Sequence, residues 1–199
     1  MIHSALQFIE KEVNAYFDAR FGQTTQKWVT LGNPAKLNDD PGGGGGNTVK
    51  TGVVFGIVNV EEDRISKSPD NYRKVNDKIE YKNPKIFLNL FVLFSVNKAD
   101  YLQSLKELSL VIQFFQQKFY FDTGNSPSLD AKIDKLLMEL HSLNFEQLNH
   151  LWGVLGGKYI PSVLYKMRVV GIEDETIIST AEPILEIGLL EGKFPKLVP

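Results

Sequence analysis

Residues Lys85–Asn97 read KIFLNLFVLFSVN. The run is rich in aromatic and branched side chains, and both of its alternating faces are apolar, broken only at Asn89 and Ser95. It falls well short of the roughly 20 apolar residues that cross a bilayer as a helix. Apolar residues on both faces mark a strand covered on both sides, at the centre of a sheet. The rest of the chain must then supply neighbouring strands and helices to cover two faces.

Flanking segments meet that demand. Ile2, Ala5, Leu6, Ile9, Val13, Tyr16 and Phe17 recur at three- and four-residue spacing, which predicts an amphipathic helix ending near Gly22. Lys27–Leu31 is a short strand candidate and Gly52–Glu61 a longer one, rich in β-branched residues. Asp100 opens a helix running to about Gln117, with Leu102, Leu105, Leu108, Ile112 and Phe115 as its expected buried stripe. Lys132–Leu143 fits either periodicity and is read as a strand. Asn144 and Gln147 stand at capping-box positions before a helix whose expected stripe is Phe145, Leu148, Leu151, Trp152 and Leu155. Gly156-Gly157 ends it, and Ser162–Ile172 alternates as a half-buried strand. The class is α+β: a mixed or antiparallel sheet with about three helices packed on it. No internal repeat is evident.

Two polar stretches, 32–51 and 63–84, read as long mobile loops, surfaces that order on a partner. The expected organisation is one domain over residues 1–175, followed by a tail or arm over 176–199 that holds the apolar stretch Ile184–Leu190.

Composition narrows the function classes. The chain has 199 residues, 43% of them hydrophobic, with a net charge of −2 and no cysteine. That balance gives no basic surface to follow a phosphate backbone, so nucleic acid is not an expected partner. Without cysteine there is no disulfide, thiolate metal site or thiol nucleophile. The opening MIHSALQFIEKEVNAYF lacks the basic start and unbroken apolar core of a signal peptide, and no membrane partner is expected.

Candidate chemistry is sparse. The glycine run Gly42–Gly46 leads into Lys50-Thr51, which raises a phosphate-binding loop as an alternative. The motif needs glycine before the lysine and a helix after it. Here Val49 precedes Lys50, and the residues that follow read as a strand. His3, His141 and His150 show no metal-pair spacing, Glu61-Glu62-Asp63 reads as a charged strand end, and no serine stands in a nucleophile elbow. Neither enzyme nor cofactor is expected. The aromatic residues Phe114, Phe115, Phe119, Tyr120, Phe121 and Trp152 read as core.

Longer runs carry a resemblance. From Leu105 the chain reads LKELSLVIQFFQQKFYFDTGNSP, and from Leu140 LHSLNFEQLNHLWGVLGGKYIPSVLYKMR. With the opening helix and the strand VVFGIVNVEED, these residues resemble the N-terminal domain family of tail-cap proteins of extracellular contractile injection systems. Those phage-tail-like particles include the Photorhabdus virulence cassettes and the Serratia antifeeding prophage. The resemblance spans about residues 1 to 172 and implies a fold like that of phage tail terminators. It implies a structural role as well: a hexameric ring at the baseplate-distal end that binds inner tube and sheath, stops elongation and anchors the sheath. Assembly would be cytoplasmic, within a particle that is then released or stays inside the cell. A generic interaction adaptor is the other non-enzymatic reading. Two contact regions are expected. One is the corner after Asn144, with Asn149, His150, Lys158 and Tyr159. The other is the tail, with Ile184 and Leu185.

Overall fold

The computed structural model describes residues 1–22, 27–38, 52–63, 72–75, 78–82, 86–172 and 177–181. The chain divides into two units, one of Met1–Lys67 with Ile86–Ile172 and one of Ser68–Lys85 with Glu173–Pro199.

The first unit is built on the strand expected within Lys85–Asn97. β5 (Ile86–Val96) lies inside a six-stranded sheet in the order β1-β2-β5-β8-β7-β6. Its neighbours are β2 (Val53–Glu62) and β8 (Ser162–Ile172), both antiparallel to it. β7 (Lys135–His141) and the short β6 (Tyr120–Asp122) continue antiparallel on one side. β1 (Val29–Leu31) closes the other side, parallel to β2. The sheet is therefore mixed, and the expected α+β class holds.

Alternation along β5 creates two cores. Leu90, Val92, Phe94 and Val96 point into the larger one, where α1 (Ile2–Phe21) and α2 (Tyr101–Gln117) cover the sheet. Phe91 and Leu93 point the other way, into a smaller cluster with Trp152 of α3 (Phe145–Val154), Ile160 and Leu164. Phe94 anchors the large core. Its ring stacks on Phe55 at 5.0 Å and 8° and meets Phe115 and Tyr165 edge-on at 5.4 and 5.9 Å. Burying a phenylalanine side chain of this kind contributes about 1.5–3 kcal/mol.

The helix ends follow their sequence signals. Asp100 caps α2 by accepting from Leu102 N–H at 2.9 Å. At α3 the capping box is complete: Asn144 Oδ1 accepts from Gln147 N–H at 2.8 Å, and Gln147 Oε1 accepts from Asn144 N–H at 3.0 Å. Gly156 and Gly157 have φ of 113° and 77°, and Gly157 N–H donates to Trp152 O at 2.7 Å. That bond closes the helix end in the Schellman manner, which needs left-handed backbone that glycine adopts without strain.

Three expectations need correction. In α2 the buried residues are Ser104, Glu107, Val111, Phe114 and Phe115, while Leu102, Leu105 and Ile112 are exposed. The helix carries two apolar stripes, and the one bearing the paired phenylalanines faces the sheet. In α3, Phe145 is 91% exposed rather than buried. It is the first residue after the cap, at the end of the helix away from Trp152, the one α3 residue that is fully buried. The stretch 63–84 has the composition of a loop, yet β3 (Tyr72–Val75) and β4 (Lys78–Lys82) lie within it. Strands of four and five residues, YRKV and KIEYK, give too short a pattern for periodicity to register.

The second unit holds these two strands and β9 (Ile177–Ala181) in a three-stranded antiparallel sheet, β3-β4-β9. β9 falls within the stretch read as tail or arm.

Candidate functional site

Among the described residues, helices cover the two sheet faces of the first unit unequally. On the second face α3 seats over Leu93 and Leu164. Cross-strand rows beside it stay polar. One row runs Asn59, Phe91, Lys166 and Glu139, and the next runs Glu61, Asn89, Arg168 and Leu137. A helix of ten residues is about 15 Å long, too short to cover strands of ten and eleven residues.

A groove of about 380 Å³ lies where α3 stops covering the sheet. Phe91, Leu164, Leu151 and Leu143 make its apolar floor and wall. Val58, Asn59 and Glu61 of β2 form one rim, and His141, Gln147 and Lys166 the rest. Its size lies in the range of pockets that take small ligands or anchoring side chains. His141 meets the Phe91 ring edge-on at 5.1 Å, and Lys166 Nζ stands 5.9 Å over the same ring. Glu139, opposite Lys166 in register, pairs instead with Arg168 Nε at 3.3 Å. Among the described residues Lys166 therefore makes no ion pair. Asn89, one row away, is buried, and its Oδ1 has no hydrogen-bond partner among them.

The residues singled out from sequence fall elsewhere. Asn149 and His150 are exposed on α3, and Lys158 and Tyr159 are exposed on the segment that follows. Tyr159 is 61% exposed, its ring 5.9 Å from that of the buried Trp152. Around them Phe145 and Val154 are 91% and 86% exposed, so the α3 corner presents more apolar surface than its polar residues suggested. Ile184 and Leu185 lie outside the described residues, as does the loop 42–51. β2 begins at Val53, so a strand follows the glycine run where a phosphate loop needs a helix. The lining of the groove was not legible beforehand, because it comes from four strands and a helix far apart in the chain. Its one local signal was the switch from apolar to polar along the outer faces of β2 and β8.

The candidate chemistry stays dispersed. His141 is on β7 and His150 on α3, and among the described residues no three histidine, aspartate or glutamate side chains gather as a metal site. Phe114, Phe115, Phe121 and Trp152 are buried as expected, whereas Phe119 and Tyr120 are exposed. No described helix is long and apolar enough to cross a membrane.

Solved structures share this architecture. The chain aligns over its full length with the sheath/tube terminator of the extracellular contractile injection system PVC in its extended state, at a TM-score of 0.64 and 13% identity, and covers 65% of that protein. It aligns over 91% of its length with the tube-terminating cap of the antifeeding prophage, at a TM-score of 0.58 and 11% identity, and covers 59% of that chain. At such identities the likeness is one of fold. The chain spans about two thirds of the length of these relatives or less. No curated protein matches it. The profile of the Pvc16 N-terminal domain matches residues 5–186, nearly the whole chain, and the chain belongs to that family.

Proposed function

We propose that this chain is a structural cap that ends the tail of a contractile injection particle. The observation that carries the reading is the family match over residues 5–186, joined to a fold shared with a sheath/tube terminator and a tube-terminating cap. The role involves no bond chemistry. A growing tube offers a fresh interface at each layer, and a terminator matches that interface on one face and presents nothing equivalent on the other. Copies joined head to tail around the tube form a closed ring, six in number if they follow the symmetry implied by the resemblance. The ring binds inner tube and sheath at the baseplate-distal end and anchors the sheath there. It assembles in the cytoplasm and becomes part of the particle.

Exposed apolar residues beside polar ones at the α3 corner suit such a contact. Phe145, Val154 and Tyr159 would form its centre, and Asn149, His150 and Lys158 its polar rim.

Affinity capture of the tagged chain from its own cells, with mass spectrometry of the eluate, tests the reading. Tube and sheath subunits are the expected companions, and imaging should place the tag at one particle end. A clean eluate from cells that contain assembled particles would overturn it.

A further inference from the structure

We propose that the outer edge of β7 at Glu139–His141 takes an extended segment of another subunit of the particle, added to the sheet as a strand. The place of this contact comes from the backbone of β7, and its partner rests on the capping role above.

β6 pairs only with Lys135, Leu136 and Leu137 of β7. Just past them Phe119 O accepts from Met138 N–H at 2.8 Å, and Phe119 is where the chain arrives from α2. The N–H and C=O of one strand residue point to the same side, and that side alternates along the strand. Met138 turns outward, so Leu140 turns outward too. The far side of β8 agrees. Val96 N–H donates to Pro161 O at 3.1 Å, so Tyr165, which shares the alternation of Pro161 and stands opposite Leu140, turns its backbone to β5 and away from β7. Among the described residues nothing takes the N–H and C=O of Leu140.

The other edge of the same sheet is sealed. At β1 the Asn14 side chain bonds both backbone groups of Val29, and Glu10 Oε1 accepts from Leu31 N–H. Two copies therefore cannot join by pairing β1 of one with β7 of the next, and the open edge calls for a segment of a different chain.

Side chains define what that segment carries. Leu140 lies on the α2 side of the sheet, one step past the buried Met138, and is exposed. Phe119, at the start of the open stretch, is exposed as well. So is Ile112 of α2, three residues before the buried Phe115 that packs on Tyr165. On the opposite face stand Glu139, paired with Arg168, and His141. Side chains of an added strand alternate in the same way. Its central residue, opposite Leu140, is apolar, and the residues on either side of it are polar. Main-chain bonds to Leu140 hold such a segment, and the apolar side chain selects it.

Leu140→Pro removes only the outward N–H and leaves the ladder to β8, a setting in which an edge strand accepts proline. Leu140→Lys keeps the N–H and sets a charge against the apolar segment. Each should keep the urea midpoint of wild type, and the lysine variant carries the test if the proline variant does not. In competition with tagged wild type for particle ends, incorporation should fall about tenfold or more. Hydrogen exchange read by mass spectrometry compares the full chain alone and in purified particles. The peptide over Met138–Ser142 should exchange fast in the first and slowly in the second. Benzoylphenylalanine placed at position 140 should cross-link, on illumination, to a different subunit of the particle. Equal incorporation of a folded variant, or exchange at this peptide that does not slow in particles holding the chain, would overturn the added strand and leave the cap reading intact. A cross-link to a second copy of this chain would overturn the choice of partner. Wild type absent from particles would overturn the cap reading, and this inference with it.

Discussion

The Asn14 side chain of α1 acts as a strand partner for Val29. Its Oδ1 accepts from Val29 N–H at 3.0 Å and its Nδ2 donates to Val29 O at 2.7 Å. One turn earlier, Glu10 Oε1 accepts from Leu31 N–H at 3.1 Å. β1 is the sheet edge, and an edge leaves backbone groups open to pairing with other chains. Here two helix side chains occupy them. Asn14→Leu should leave both groups of Val29 unpaired and cost about 1–3 kcal/mol. Urea denaturation checks this, and an unchanged midpoint would refute it.

A partly buried ion pair ties the segment just after β5 to α2. Lys98 Nζ pairs with Glu107, whose side chain is fully buried and also accepts from Gln103 Nε2 at 3.2 Å. Lys98→Met strands that carboxylate and should destabilise the protein by about 3 kcal/mol, whereas Lys98→Met with Glu107→Leu should come within about 1 kcal/mol of wild type or exceed it. Paired denaturation curves decide. Equal losses in the single and double variants would show that the charge is not the cause.

Stability should fall at alkaline pH through Tyr165. Its burial between Phe94 and Phe115 pushes its pKa up to about 12. The unfolded chain loses this proton near 10, so between the two values the unfolded state binds fewer protons than the native one. The contribution is complete below pH 10 and is lost as pH rises through about 12. Denaturation midpoints from pH 9 to 12 should decline, and Tyr165→Phe should flatten that decline. An identical slope in the variant would assign the effect to other groups.

Phe145 separates folding from assembly. Being 91% exposed, it contributes little to the core, and Phe145→Ser should change stability by less than about 0.5 kcal/mol. If the α3 corner is the contact surface, the same variant should weaken joining to particles about tenfold or more, as loss of an interfacial aromatic does. Competition between tagged wild type and variant for particle ends measures this. Equal incorporation would remove Phe145 from the interface.

The legible parts of the fold were those with local causes. β5 could be read because both of its alternating faces are apolar within a single run, and the α3 cap because Asn144 and Gln147 meet across one turn. The orientation of α2 could not be read. Leu102, Leu105 and Ile112 repeat at helical spacing as well as Val111, Phe114 and Phe115 do, and both sets satisfy the same pattern. The short strands β3 and β4 carry too few residues for periodicity to register, and the second partner of β4 is β9, about a hundred residues on.

Sequence by itself determined the class, the central strand, the helix ends, the family resemblance and the absence of thiol chemistry. Each depends on residue types or on neighbours within a turn or a strand. Tertiary structure alone decided which stripe of α2 is buried, how Asn14 closes the sheet edge, and that a groove lies beside α3. These depend on where distant segments meet. A groove made by Glu61, Phe91, His141, Leu151 and Lys166 has no counterpart in sequence order, because only the pairing of β2, β5, β8 and β7 brings its walls together.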